Sequence, residues 1–280
     1  MTAAREEQLS RALTGLRERL ERAAAAAGRD VADVELLPVT KFFPAGDVIA
    51  LYKLGCSAFG ESRDQEATQK IAAVREVVGE TAIRWHMIGR IQRNKARSVA
   101  GWAHTAHSVD SAKVIAALDR GAAAALDDGR RAAPLRVFLQ VSLDGDEARG
   151  GVDVDATDRV DELCAAMDGA AALRFVGLMA IPPLGGDPDR AFERLGRERD
   201  RVQRFYPQRL ELSAGMSGDL EAAVKHGSTC VRVGTALLGT RPLTSPAVVT
   251  PVTPTSWTPE ASGTSSGTSE SPAPQEGSSQ

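Results

Sequence analysis

The sequence predicts an α/β protein of the (β/α)8 TIM-barrel class, a single barrel domain over residues 1–243. Three observations carry this expectation. Eight short strands alternate with helices over about 240 residues, the pattern of a parallel barrel. The best defined of them, VELLPVTK at 34–41 and a run centred on VFL at 137–139, are apolar as strands covered on both faces are. The glycine-rich first turn of a doubly wound dinucleotide fold is absent.

Each element follows from local pattern. Residues 5–27 carry Leu9, Leu13, Leu16 and Leu20 at helical steps with Arg and Glu opposite, and Gly28 suits the C-cap. After the strand ending at Lys41, Pro44 opens a helix with Val48, Ile49 and Tyr52 that stops near Gly55. The strand 57–60 leads into a helix with Ile71, Val74, Val77 and Val78. The strand 83–88 is followed by a basic helix over 91–100, and the strand 104–109 by a helix capped by Asp110 or Ser111 and running through Leu118. The strand 135–141 gives way to a Gly/Asp-rich loop over 142–152 and a helix over 156–167. The strand 174–180 ends in Ile181-Pro182-Pro183, and a charged helix from Pro188 to about Phe205 leads to the strand 210–213. Ser217 caps a helix ending at Gly227, and 229–233 is the eighth strand.

Composition narrows the function. A hydrophobic content of 42% supports a packed core, and a net charge of −3 with interspersed signs is no nucleic-acid footprint. No apolar run approaches the roughly 18 residues of a membrane span, and no signal segment opens the chain. Cys56, Cys164 and Cys230 lie far apart without CxxC spacing, which fits reduced thiols in a cytoplasmic protein and neither a disulfide framework nor a zinc site.

The chemistry gathers at strand ends. Lys41 terminates a buried strand where barrels place their ligands, and an apolar wall there frees a lysine amine to attack a carbonyl. The alternative is a solvated lysine. Near the other end, LSAGMSG at 212–218 and VRVGT at 231–235 are small-residue turns after the seventh and eighth strands. Their backbone N–H groups, with the hydroxyls of Ser213 and Thr235, suit a phosphate dianion, although ordinary tight turns read the same way. Arg232 projects opposite to Val231 and Val233, so its guanidinium needs an acceptor, either a carboxylate such as Glu211 or the ring nitrogen of a pyridine cofactor.

Five ordered blocks, LLPVTK at 36–41, FGES at 59–62, WHMIGRIQRNK at 85–95, GLMAIPP at 177–183 and LSAGMSGDLEAAVKHGSTCVRVGTALLGTR at 212–241, resemble the YggS/PROSC family of pyridoxal phosphate (PLP) homeostasis proteins. The resemblance covers about residues 5–242 and implies a single barrel like the N-terminal domain of alanine racemase, of PLP fold type III. It implies PLP held as a Schiff base on Lys41, with phosphate contacts from Ser213, Gly234 and Thr235 and the pyridine nitrogen at Arg232. The family has asparagine where this chain has Ser62, which changes one contact near the cofactor.

The implied role is that of an intracellular carrier or buffer of PLP, with apo-enzymes as recipients and no catalytic residues of its own. The alternative is a fold-type-III racemase or decarboxylase. Such enzymes use a second, β-rich domain to complete the site, and only a short turn and a tail are expected here after the eighth strand. An arginine at the ring nitrogen weakens the electron sink, although alanine racemase has one too. A third reading is a barrel enzyme acting on a sugar phosphate with Lys41 as nucleophile. His104 and His107, three apart on a strand, are expected to face opposite sides and make a poor metal pair. His86 either lines the pocket or is a core histidine.

From Thr244 onward the chain is Ser, Thr, Pro and Gly without a Lys or Arg, so 244–280 reads as a disordered tail in which Trp257 is incidental. Deleting 244–280 is expected to leave the melting temperature and PLP retention unchanged. A clear fall in either on truncation would show that the segment docks on the barrel.

Overall fold

The computed structural model describes residues 2–79 and 83–240. The disordered segment expected over 244–280 therefore lies outside the described residues. The strands are β1 (Glu35–Pro38), β2 (Ala58–Glu61), β3 (Arg84–Met87), β4 (Thr105–Val109), β5 (Leu135–Ser142), β6 (Val152–Asp153), β7 (Leu173–Met179), β8 (Glu211–Ser213) and β9 (Cys230–Val233). The helices are α1 (Ala3–Ala26), α2 (Ala45–Lys53), α3 (Asp64–Val78), α4 (Ala96–Trp102), α5 (Ala112–Asp127), α6 (Thr157–Asp168), α7 (Pro188–Gln203), α8 (Leu220–Lys225) and α9 (Thr235–Leu238).

The strands run parallel in the order β1-β9-β8-β7-β5-β4-β3-β2. The two ends of this path meet at a single bridge, Val39 with Gly60, where the Thr40 amide donates to Gly60 O at 3.0 Å. The result is a nearly closed barrel of eight parallel strands with helices between them, as the strand and helix alternation predicts. The ninth strand, β6, pairs only with the end of β5. Gly177 in β7 adopts φ +151°, and a Cβ there would lie 2.0 Å from Glu211 O, so close β7–β8 pairing requires glycine at this bulge.

Local differences from the sequence pattern have simple causes. The basic helix starts at Ala96, because Arg93–Lys95 form a 3-10 turn. The alanine-rich stretch beyond Leu118 prolongs α5 to Asp127. The 142–152 loop contains the 3-10 turn Glu147–Arg149 and enters β6. Ser217 does not cap α8, which begins at Leu220; its hydroxyl accepts from the Ala236 amide at 3.2 Å.

The main core lies between barrel and helices. Leu9, Leu13, Leu16 and Leu20 of α1 are buried in it with outward strand residues such as Phe59, Val137, Leu212 and Val231. Arginines of α1 also fasten the last loops: Arg19 Nη1 donates to Ser217 O at 2.7 Å and Arg5 Nη2 to Leu238 O at 3.0 Å. Inside the barrel the apolar clusters among the described residues are small, Leu37 with Ala58 and Cys230, and Phe138 with Val176 and Met179.

Between these clusters runs a polar chain. His86 Nδ1 lies 2.9 Å from His107 Nε2, His107 Nδ1 lies 2.8 Å from Ser213 Oγ, and Arg232 Nη1 donates to Ser213 Oγ at 2.5 Å. All four residues are buried. Burial, then His104 and the Arg84 and Arg136 guanidinium groups, hold His86 down to about 3; burial, His86 and Arg232 hold His107 well below the ordinary histidine range. Both are therefore neutral in the fold, while the unfolded chain protonates them near pH 6.5. Below that pH the unfolded state binds the extra protons, so stability falls as pH falls, by about 1.4 kcal/mol per pH unit for each histidine. Urea unfolding between pH 6.5 and 5 should show this slope, and His107→Gln should remove its share. An unchanged slope in that variant would place the pH sensitivity elsewhere.

Candidate functional site

The first predicted residue, Lys41, follows β1 by three positions. Glu35, Leu37 and Val39 alternate to the barrel interior, and Lys41 shares their parity. It is half-buried, with Nζ 5.9 Å from the centre of the Phe42 ring; Arg63 stacks on the same ring at 5.2 Å. Phe42 has φ 69°, a strained conformation for a bulky residue.

The neighbours that hold this conformation come from α3. The Phe42 amide donates to Glu66 Oε1 at 2.6 Å, and Lys70 Nζ donates to Thr40 O at 2.8 Å. Lys70 also meets Glu61 at 2.7 Å and Glu66 at 3.1 Å, and the Thr40 hydroxyl donates to Glu61 at 2.7 Å. Both flanks of Lys41 are thus tied to one helix. Burial pushes the Glu61 carboxyl up despite its lysine partner. Sequence reasoning passed over Glu61, Glu66 and Lys70, although the Glu66/Lys70 spacing of four marks a helical ion pair.

Arg232 of β9 faces the interior, paired in register with Leu37. Its guanidinium donates to Ser213 O at 2.7 Å, to Ser213 Oγ at 2.5 Å and to Ala180 O at 3.0 Å. These three bonds leave two of its five N–H groups without an acceptor among the described residues. The carboxylate alternative is not realised: Glu211 is bound by Arg136 at 2.6 Å, and Arg232 makes no ion pair among the described residues.

The two small-residue turns meet beside β1. Gly234 follows β9, and a Cβ on it would lie 3.7 Å from Val39, two residues before Lys41. The amides of Gly234 and Thr235 open α9 and have no intrahelical acceptor. Thr235 is exposed, and the Ala236–Ser217 bond joins its turn to the 213–218 turn. Lys41, Gly234 and Thr235 therefore follow adjacent strands, and Ser213 touches Arg232 directly. The Ser213 hydroxyl already faces Arg232 and His107.

The remaining predicted residues settle differently. Ser62 packs by its backbone on Gly89, where a Cβ would approach Ser62 O to 2.2 Å. His104 and His107 are not on opposite sides of a flat strand. His104 precedes β4, and both rings lie against His86, with centroids at 5.8 and 5.1 Å. Among the described residues no group of three His, Cys, Asp or Glu is arranged to hold a metal ion. The three cysteines are unpaired and buried.

Residues 12–242 match the family described as alanine racemase, N-terminal domain. A pyridoxal phosphate homeostasis protein of Mycobacterium tuberculosis is 58% identical over 248 residues, covering 86% of this chain and 96% of the relative. The solved structure of PipY of Synechococcus elongatus with PLP bound is 32% identical, with a TM-score of 0.68 over 82% of this chain and 100% of that one. Alanine racemase of Bartonella henselae, 17% identical with a TM-score of 0.58, shares the fold over 83% of this chain and 64% of its own. This chain belongs to the alanine racemase N-terminal domain family and, within it, to the pyridoxal phosphate homeostasis proteins.

Proposed function

We propose that this protein binds PLP at the carboxyl end of the barrel and serves as a carrier and buffer of the cofactor inside the cell. The observation that carries the reading is Arg232, a buried guanidinium with no carboxylate partner among the described residues and two N–H groups to spare. A pyridine nitrogen is a suitable acceptor for one of them. Gly234 and Thr235 offer amides with no acceptor among the described residues to a phosphate, and Ser213 would join them by turning its hydroxyl away from His107. When bound, the cofactor supplies an aldehyde that a lysine amine captures reversibly. Lys41 is that lysine in this reading, its direction set by Glu66 and Lys70.

The absence of catalytic turnover, the delivery of PLP to apo-enzymes and a cytoplasmic location are parts of the same proposal. Supporting them, the likeness to the homeostasis protein extends over 96% of that relative, against 64% of the racemase. Three unpaired thiols fit a reducing compartment, and no helix among the described residues is long and apolar enough to cross a membrane.

Borohydride reduction of the purified protein, followed by digestion and mass spectrometry, should place the pyridoxyl group on the Lys41 peptide. A label on Lys53 or Lys70 in its stead would remove Lys41 from the site. Arg232→Gln exchanges a charged donor for a neutral one and should weaken PLP retention roughly 10- to 150-fold in the folded protein. Unaltered affinity alongside a lowered melting temperature would make Arg232 a structural residue only.

A further inference from the structure

A further space lies at the other end of the barrel from Lys41. It is a cavity of about 700 Å³ among the amino-terminal residues of β1, β3, β4, β5, β7 and β8. Its wall is charged, and the charges do not cancel. Glu35 is paired with Arg84 at 2.6 Å and Glu211 with Arg136 at 2.6 Å. Arg131 donates only to the carbonyls of Ala133, Ala100 and Ala103, and Arg174 has no partner among the described residues. Two positive charges are left over.

The floor of the cavity is an unsatisfied donor. His86 is buried and lines the space, and its Nε2 has no hydrogen-bond partner among the described residues. The nearest carboxylate oxygen, of Glu35, is 3.9 Å away, beyond hydrogen-bond reach. The polarity of the interior chain decides what that nitrogen presents. Arg232 donates to Ser213 Oγ, so the hydroxyl proton is free for His107 Nδ1, a better acceptor than the nearby thiol of Cys230. His107 then carries its proton on Nε2 and donates to His86 Nδ1, which leaves the His86 proton on Nε2, pointing into the cavity. A buried N–H without an acceptor, facing a space with two surplus guanidinium charges, is the lining of an anion site.

We propose that the amino-terminal end of the barrel is a second ligand site, taking a compact dianion, a dicarboxylate or a phosphate, between Arg174, Arg131 and His86. Guanidinium groups at the mouth would fix the anion and the imidazole N–H would donate to its inner oxygen. The site stands apart from the PLP reading, since it uses none of Lys41, Gly234 or Thr235.

The test is titration of the full chain with succinate and, separately, inorganic phosphate, followed by calorimetry and by the His86 imidazole nitrogen resonances. Saturable binding of either probe that shifts His86 Nε2 is expected, the responding probe telling carboxylate from phosphate. Arg174→Glu, at an exposed position, should weaken it at least about tenfold, while Arg174→Lys keeps most of it. Failure of both probes to move His86 would mean that water alone fills the cavity and would overturn the proposal. Binding of equal strength in Arg174→Glu would also overturn it, because the anion would then sit elsewhere, as phosphate at the Gly234 turn would. Loss of PLP binding in Lys41→Ala leaves these readouts untouched, so the two readings fail separately.

Discussion

A guanidinium with 5% exposure inside a barrel must be compensated by dipoles or by a ligand, because burial of an unpaired charge is far costlier than any single contact returns. Arg232 is met by two backbone carbonyls and one hydroxyl, and that requirement organises its surroundings. Ser213 must face inward from β8 to accept twice, and Ala180, just after β7, must offer its carbonyl to the guanidinium. The Ser213 proton then needs an acceptor, which His107 supplies, and His107 in turn needs His86. Burial lowers the Arg232 pKa from its ordinary value but leaves the group charged at any physiological pH. The barrel axis is thus polar for one reason, and its apolar filling is confined to the clusters around Leu37 and Phe138.

Much of the fold was legible because parallel strands buried on both faces leave an unmistakable apolar signature. The eight strands and the ends near Gly28, Gly55 and Gly227 follow from it, with positive φ at each of these glycines. The inward direction of Arg232 followed from its position between Val231 and Val233. Its partners did not, since strand alternation says which face a residue takes but not which residue stands across the axis. Glu211 was the nearer guess along the chain, yet it lies at the opposite end of its strand from Ser213 and pairs with Arg136. The histidines depart from the sequence pattern for a related reason: HTAHSV has the pattern of one flat strand, whereas His104 lies before β4 and the pairing with β5 shifts between Ala106 and Val109.

The surroundings of Lys41 were hidden because they depend on contacts between elements. The lysine itself was visible as a charge at the end of an apolar strand. That Thr40, Phe42, Glu61, Glu66 and Lys70 form one unit required α3 to be docked on β1 and β2. Taken as a source of stability the unit is poor. Desolvating Glu61 and Lys70 costs several kcal/mol per ion, which their attraction only offsets, and Glu61 Oε2 has no partner among the described residues. A leucine and a methionine would fill the same space more cheaply. They would also remove the acceptor of the Thr40 hydroxyl and one of the two donors to Thr40 O, and would take the lysine from Glu66, which holds the Phe42 amide. Glu66 would then carry the tie between α3 and the chain just after β1, where a step of one residue turns the Lys41 side chain to the other face of the strand. What the charged cluster secures is the backbone on both sides of Lys41, and an apolar pair of equal volume would keep only the Glu66 half of that hold.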